Sequence, residues 1–304
     1  MGAELRAIRA RIRSVTSTSK ITRAQELIAS SRIPEARRRL EAARPYAREI
    51  TGVASILVSH GLHMNHALLN RRPDTSRVAV LVMTSDRGFC GAFNGNALRQ
   101  GDALAAYLRE RGREPVFYLY GRRAADFYRF RRRSTEREWT GLSARPTYEA
   151  AAEIGQTLVE AFDRPTREGG VGEVHVVFTE FVSMLTQRTR VHRILPIEVE
   201  EREAEGDEDL PPPPPYTFEP SAAVVLDLLL RQYVRGRIWH MLLESSAAEH
   251  AARRQAMTSA TDNARELLAL LTRRANAARQ AEITTELTEI TGGAEALAHP
   301  EGIR

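Results

Sequence analysis

The sequence is short of several residue types that carry chemistry in other proteins. It contains one cysteine, two tryptophans and, among 44 basic residues, a single lysine, Lys20. With Cys90 alone, the chain cannot form an internal disulfide, and it offers too little thiolate for a zinc site or a paired redox switch. No stretch approaches the roughly 20 apolar residues that a membrane-spanning helix needs. These shortages predict a cytosol-facing protein that reaches a membrane only through a partner.

The chain does contain enough apolar residues for a real core. Its 304 residues are 42% hydrophobic and 27% charged, with a net charge of +5 and a pI near 9.7. The positive charge predicts an anionic partner, which could be nucleic acid, a lipid headgroup surface or an acidic protein. The segment before Lys20 is rich in arginine and serine but carries Glu4, and its apolar rhythm continues beyond it. We therefore interpret it as part of the mature protein and not as a targeting peptide.

The N-terminal segment has the apolar spacing of an amphipathic helix. The spacing thins out among serines and threonines between Ser17 and Thr22, which predicts a small or polar neighbour there. Pro34 is expected to kink or divide the helix, which would resume and run to about His63. The apolar positions of the predicted stripe are Leu5, Ile8, Ile12, Val15, Ile21 and Ile28.

The middle of the chain alternates between strand-like and helical patterns. Buried strands are predicted at Val78–Thr84, Phe117–Tyr120 and Val174–Phe178, with an edge strand at Val191–Val199. Helices are predicted near residues 97–111, 122–130 and 148–162. This alternation predicts an α/β layer with a mostly parallel, Rossmann-like sheet.

The last third of the chain reads as one very long helix. An acidic run from Glu198 ends in five prolines at Pro215 and predicts a solvated loop. A helix from about Ser221 to Thr291 would be roughly 100 Å long and must lie along another element. Its seam would consist of Met257, Ala260, Ala264, Leu267, Leu271, Ala275 and Ala278.

The N-terminal helix is the natural partner of that seam, in an antiparallel two-helix coiled coil. The predicted fold class is thus α/β, with a central Rossmann-like α/β domain and a long coiled coil formed by the two ends. The predicted parts are residues 1–70, the first coiled-coil helix; 71–199, the α/β domain; 200–220, the acidic and proline-rich loop; and 221–304, the second coiled-coil helix.

Motifs for an enzyme are weak in this sequence. The glycine-rich turn TSDRGFCGAFNGNAL lies between a strand and a helix, where phosphates often bind, but it matches neither G-x-G-x-x-G nor the P-loop. We favour a tight turn over a nucleotide site. His60, His63 and His66 lack a carboxylate or cysteine to complete a metal shell, and no nucleophile signature appears. The sequence therefore predicts no catalytic residue, cofactor or metal.

Two other features leave alternatives open. Arginine clusters at Arg37–Arg39 and Arg131–Arg133 could bind phosphate, but the aromatic residues and modules typical of nucleic-acid proteins are missing. The C-terminal helix, Ala278–Leu297, is polar nearly all round, which is typical either of a helix enclosed by other chains or of a frayed terminus. The physical pattern alone does not decide between these two.

Four segments resemble one family, the gamma subunits of F-type ATP synthases. They are RAIRARIRSVTSTSKITRAQELIAS, LVMTSDRGFCGAFNGN, VFTEFVSMLTQ and ARQAEITTELTEITGGAEA. The last carries Ile283, Thr284, Glu286, Glu289, Gly293 and Ala294 at the spacing of the family signature. The resemblance spans nearly the whole chain in the right order. A nucleotide-dependent enzyme and a basic coiled-coil nucleic-acid protein are the competing hypotheses, and neither has a use for this signature.

The resemblance implies a non-catalytic rotor shaft that couples ion-driven rotation of the c-ring to the nucleotide states of the beta subunits. Its partners would be three alpha and three beta subunits, the epsilon subunit and the c-ring, with no nucleic acid and no direct membrane insertion. It would be peripheral on the cytoplasmic face of a bacterial inner membrane.

The same resemblance implies two sets of contact residues. Facing the alpha and beta subunits would be Lys20, Arg23, Gln25, Arg253, Gln280, Thr284, Glu286, Thr288 and Glu289. Facing the c-ring and epsilon would be Arg37, Arg38, Phe218 and Glu219. Gln25 stands where the family commonly has methionine, and Pro34 stands where it has an unbroken helix.

Overall fold

The computed structural model of the chain describes residues 3–59, 66–197, 219 and 221–298. Two long helices, α1 (Ala3–Ser59) and α5 (Ala222–Ala298), come from the two ends of the chain. Between them lie, in chain order, β1 (Arg77–Met83), α2 (Phe93–Glu110), β2 (Glu114–Tyr120), α3 (Arg122–Phe130), β3 (Arg137–Trp139), α4 (Tyr148–Asp163), β4 (Glu173–Phe181) and β5 (Gln187–Leu195). This confirms the predicted fold class of an α/β sheet between two long terminal helices.

The sheet has five strands in the order β3-β2-β1-β4-β5. Strand β1 pairs in parallel with β2 and β4, β2 pairs in parallel with β3, and β5 pairs antiparallel with β4 at the edge. The edge strand predicted at Val191–Val199 thus exists but begins earlier, at Gln187. Strand β3 was missed because it is three residues long and two of them are charged.

Helices cover both faces of the sheet. On one face, α4 and α5 bury the apolar side chains of β1, β2 and β4, with Ile154 and Leu230 fully buried among them. On the other face, α2 and α3 pack on the alternate residues Val78, Val80 and Val82 of β1. Because β1 is covered on both faces, its sequence is a continuous apolar run.

The prediction that Pro34 could divide the first helix is wrong, since α1 continues through both Pro34 and Pro45. Proline cannot donate the amide bond of a helix interior, which leaves one carbonyl without its partner. Pro34 lies on an exposed side of α1, where water can satisfy that carbonyl. The helix is therefore able to tolerate the residue.

The chain divides into two compact units. The body is Ala29–Arg253, and the terminal unit consists of Met1–Ile28 and Arg254–Arg304. Within the body, α1 and α5 run antiparallel, because Arg39 stacks over Trp239 while Tyr46, further along α1, contacts Gln232, which precedes Trp239 on α5. Among the residues that the structure describes, no helix is both long enough and apolar enough to span a membrane.

Candidate functional site

The terminal unit has a narrow seam between its two helices. On α5, every predicted seam position from Met257 to Ala278 is buried or half-buried, which confirms that stripe. On α1, Leu5 is buried and the hydroxyls of Thr22 and Thr261 lie 2.8 Å apart. The predicted small or polar neighbour for the Ser17–Thr22 segment is therefore Thr261.

The predicted apolar stripe of α1 is wrong at its last two positions. Ile21 and Ile28 are exposed, and the seam passes instead through Ser19, Thr22 and Glu26. These positions continue the alternating steps of three and four that begin at Leu5. Counting apolar residues could not find this register, because polar residues occupy the buried positions.

The predicted contact residues near the C-terminal end of α5 (the α5 end) are all exposed. They are Gln280, Thr284, Glu286, Thr288 and Glu289. Thr284 and Thr288 donate their hydroxyl hydrogens to the carbonyls four residues earlier, Gln280 and Thr284, at 2.9 and 2.8 Å. Their side chains are thus satisfied by their own helix. Glu286 and Glu289 make no ion pair with any residue that the structure describes. The resulting surface is polar, acidic and internally satisfied.

Exposed apolar side chains interrupt this polar surface at helical spacing. Ile283, Leu287 and Ile290 are 45%, 58% and 68% exposed and lie one above another on α5. On α1, Ile21 and Leu27 are also more than half exposed. The contact residues that the resemblance implies do not include these five side chains, although their exposure marks them as candidates for burial by a partner.

The predicted contact residues on α1 differ from one another in their surroundings. Lys20 is exposed, whereas Gln25 is half-buried. Arg23 makes an ion pair with Glu26 at 2.8 Å, while half of its side chain remains exposed. Arg23 can therefore exchange Glu26 for an acidic group of a partner at low cost, because exposed pairs contribute little.

The second set of predicted contacts lies in the body. Arg37 and Arg38 are exposed, and Arg37 has Glu41 at 3.4 Å on the next turn of α1. Glu219 is also exposed. Phe218 lies outside the described residues.

Arg253 differs from the sequence-based expectation. We expected an exposed contact, but only 7% of the residue is exposed, and its hydrogen bonds are made within the body. It pairs with Glu249 at 2.9 Å and donates to the backbone carbonyls of Arg87 and Gly88 at 3.1 and 3.3 Å. In this structure Arg253 is thus a buried side chain of α5 that binds the turn between β1 and α2.

That turn is held together by its own polar groups. The Asp86 carboxylate accepts the N–H groups of Arg122, Gly141 and Ser143 at 2.8 to 3.0 Å. Burial alone would raise the pKa of Asp86, but these donors hold it below its ordinary value. The N–H of Ser85 in turn donates to Asn94 at 2.8 Å. Because side chains of the chain itself use these groups, the geometry favours the structural interpretation of the glycine-rich turn.

Of the three histidines considered as metal ligands, His66 is the one that the structure describes. His66 lies 3.2 Å from Asp227, while His60 and His63 fall outside the described residues. No cluster of three or more histidine, cysteine or carboxylate side chains that could hold a metal ion occurs in the described part of the chain.

Solved structures with the same fold come from ATP synthase rotors. A chain of the Euglena gracilis mitochondrial ATP synthase rotor matches with a TM-score of 0.61 at 16% identity, covering 93% of this chain and all of that one. A chain of the central stalk and c-ring structure from Tetrahymena thermophila gives a TM-score of 0.57 at 19% identity, covering 79% of this chain and 99% of that one. At such identities these likenesses show the fold alone.

Sequence comparison identifies the family. A family model described as ATP synthase matches residues 4–297. The ATP synthase gamma chain of Acidothermus cellulolyticus is 52% identical over 297 residues, covering 98% of both chains. The gamma chain of Mycobacterium tuberculosis is 50% identical over 307 residues, covering 98% of this chain and 99% of the relative. The chain belongs to the ATP synthase gamma chain family.

Proposed function

We propose that this chain is the central rotor shaft of an F-type ATP synthase. Ion flow turns the c-ring, the c-ring turns the shaft, and the shaft biases each beta subunit in turn toward a different nucleotide state. The shaft itself makes and breaks no covalent bond. Its partners are three alpha and three beta subunits, the epsilon subunit and the c-ring, and it is peripheral on the cytoplasmic face of the bacterial inner membrane.

The observation that supports the proposal is the surface of the α5 end. Its threonines donate to their own helix, Glu286 and Glu289 are exposed, and exposed apolar groups lie among them at helical spacing. A surface that must slide past equivalent sites cannot keep strong fixed bonds to any one of them. Polar groups that are already satisfied can form and lose contacts to a partner at little cost in free energy.

Coupling also requires that the contacts differ between states. A partner that binds every conformation of a beta subunit equally well shifts none of them. We propose that Lys20, Arg23 and Gln25 on α1, together with the α5 end, make the contacts with the beta subunits different on different sides of the shaft. The α5 residues concerned are Gln280, Thr284, Glu286, Thr288 and Glu289.

In the body, we assign the c-ring and epsilon contacts to Arg37, Arg38, Phe218 and Glu219. Arg37 and Arg38 are exposed on α1 and suit acidic or polar acceptors. The domain boundaries at residues 70, 199 and 220 stay predictions.

The experiment is purification of the tagged chain from its native membranes, with mass spectrometry and an ATPase assay on what accompanies it. We expect alpha and beta subunits in equal numbers and ATP hydrolysis by the complex, with none from the isolated chain. A chain that purifies alone and binds nucleotide would contradict the proposal and favour the glycine-rich turn as a nucleotide site.

A further inference from the structure

The body contains a buried ion pair that faces the backbone of the turn between β1 and α2. Glu249 and Arg253 are one helical turn apart on α5 and are 2% and 7% exposed. The guanidinium has Glu249 on one side at 2.9 Å and the carbonyls of Arg87 and Gly88 on the other. One planar group therefore bridges a helix and a loop.

The turn that Arg253 binds includes one residue in an unfavourable backbone conformation. Phe89 adopts φ +62°, in the left-handed region that side chains other than glycine seldom occupy. Phe89 is also 70% exposed, so packing of its ring does not compensate for that conformation. The restraint must come from the neighbouring residues, and the two carbonyls just before Phe89 are the ones that Arg253 binds.

Two further contacts hold the same turn, one to α5 and one to the loop after β3. Cys90 and Phe93 pack against Ala248, which lies beside Glu249 on α5. Ser143, in the loop after β3, receives the N–H of Asp86 at 2.8 Å, and its N–H donates to the Asp86 carboxylate. The Arg253 pair thus stands where the turn at the end of the central strand meets α5.

We propose that Glu249 and Arg253 form a latch that fixes the β1–α2 turn to α5 and carries torque between the sheet and that helix. The torque role rests on the proposed rotor function. The fixation of the turn to α5 rests on the contacts alone. Arg253 is accordingly a positioning residue that acts through the turn. This role differs from the direct ring contact that the family resemblance implied.

Cys90 provides a built-in reporter of the latch. It is the one cysteine of the chain, it is 2% exposed, and it lies inside the turn beside Ser85 and Asn94. Burial raises the pKa of its thiol, which further slows its reaction with thiol reagents. If the turn opens, the labelling rate of the full-length chain must rise.

The first test compares the rate of Cys90 labelling between variants of the isolated full-length chain. Arg253→Ala removes the guanidinium that donates to both carbonyls, while the Arg87 carbonyl keeps the Ser85 hydroxyl at 2.6 Å. We expect labelling to become roughly tenfold faster or more, since hydrogen bonds to charged groups are the strong ones. Arg254→Ala removes the exposed neighbouring arginine and should leave the rate unchanged. Equal rates for Arg253→Ala and the natural chain would overturn the latch.

Two further variants separate the latch from general damage. Glu249→Gln combined with Arg253→Ala removes both buried charges, and labelling should stay fast because the guanidinium that joins the turn to α5 is still missing. Arg253→Lys keeps a positive charge but loses the planar fork, and labelling should be several-fold faster than in the natural chain. If Arg253→Ala does not fold, an unchanged rate in Arg253→Lys overturns the proposal instead.

The second test addresses torque in the assembled complex. We expect Arg253→Ala to lower ATP synthesis per ion translocated more than it lowers ATP hydrolysis, with Arg254→Ala affecting neither. Faster labelling together with unchanged synthesis per ion would overturn the torque role. If the natural chain fails to assemble with alpha and beta subunits, the proposed function fails, while the labelling test still decides on the latch.

Discussion

The body and the terminal unit stabilise themselves by different means. The body buries apolar side chains on both faces of its sheet, and Ile154, Leu158, Leu226 and Leu230 are almost completely inaccessible. In the seam of the terminal unit the hydroxyls of Thr22 and Thr261 lie 2.8 Å apart, and several large apolar groups outside the seam remain exposed. The comparison indicates that the body has an apolar core of its own, whereas our proposal that the terminal unit stands among other chains would account for its exposed apolar groups.

The largest expected change in the free energy of unfolding comes from a substitution in the core of the body. Leu230→Ala removes a fully buried side chain and should lower the free energy of unfolding by about 2–5 kcal/mol. Leu228→Ala, two residues away and 64% exposed, is the matched control and should change it by less than about 0.5 kcal/mol. Denaturant unfolding followed by circular dichroism measures both. Equal effects would show that α5 does not pack on the sheet as described.

The next effect is a loss of stability of the body in mild acid. Burial lowers the pKa of His250, and Arg253 and Arg32 lower it further, while the Ala144 carbonyl and Glu35 oppose them. Because the folded pKa lies below the unfolded value of about 6.5, only the unfolded chain takes up the proton as the pH falls from there. The stability that neutral His250 provides is therefore present above about pH 6.5 and is lost as the pH falls through the folded pKa.

This prediction is checked by denaturant unfolding at about pH 7.5 and about pH 5.5. The natural chain should be less stable at the lower pH, and His250→Gln should reduce the difference. Asp86 does not interfere in this range, since its pKa is lowered from an ordinary value of 3.8. A variant with the same pH dependence as the natural chain would contradict the assignment.

A smaller effect is expected for charge at the surface of the terminal unit. Glu286→Lys should weaken coupling between ion flow and ATP synthesis, because it reverses the charge that a partner would meet. The effect should be small, since each exposed pair with a partner contributes at most about 1 kcal/mol. The loss should decrease at high salt, which screens such pairs. Glu110→Lys, an exposed reversal in the body, is the control. Equal ATP yield per ion in both variants would contradict the assigned contact.

The smallest effect concerns the threonine pair of the seam. Thr261→Val removes the contact to Thr22, but the Thr22 hydroxyl keeps the carbonyl of Ser19 at 3.1 Å as a partner. Local stability should fall by less than about 1 kcal/mol. Amide hydrogen exchange within the terminal unit measures it, and Thr272→Val, at an exposed threonine, is the control. A loss as large as that of Leu230→Ala would contradict the account of a weak seam.

The sequence predicted the elements that depend on local patterns. The strand at Val78 and the helices near residues 97, 122 and 148 follow from apolar runs and periodicity, and the structure has them close to the expected bounds. The α5 seam was also predictable, because its apolar and small residues keep one spacing along the helix.

What the sequence could not predict depends on contacts between distant segments. The seam of α1 passes through Ser19 and Thr22, which look like surface residues until Thr261 is placed beside them. Arg253 looks like a solvated cation, and its burial follows only from the carbonyls of a turn about 165 residues earlier. Strand β3 exists because β2 offers it an edge, and not because its own residues favour a strand.

The most direct test of the rotor account is single-molecule rotation. The reconstituted complex with alpha and beta subunits is fixed to a surface, and a bead is attached to a cysteine introduced at the exposed Arg188 in a Cys90→Ser background. The account predicts rotation in one direction when ATP is added and none without it. ATP hydrolysis by the complex with no directed rotation of the bead would contradict it.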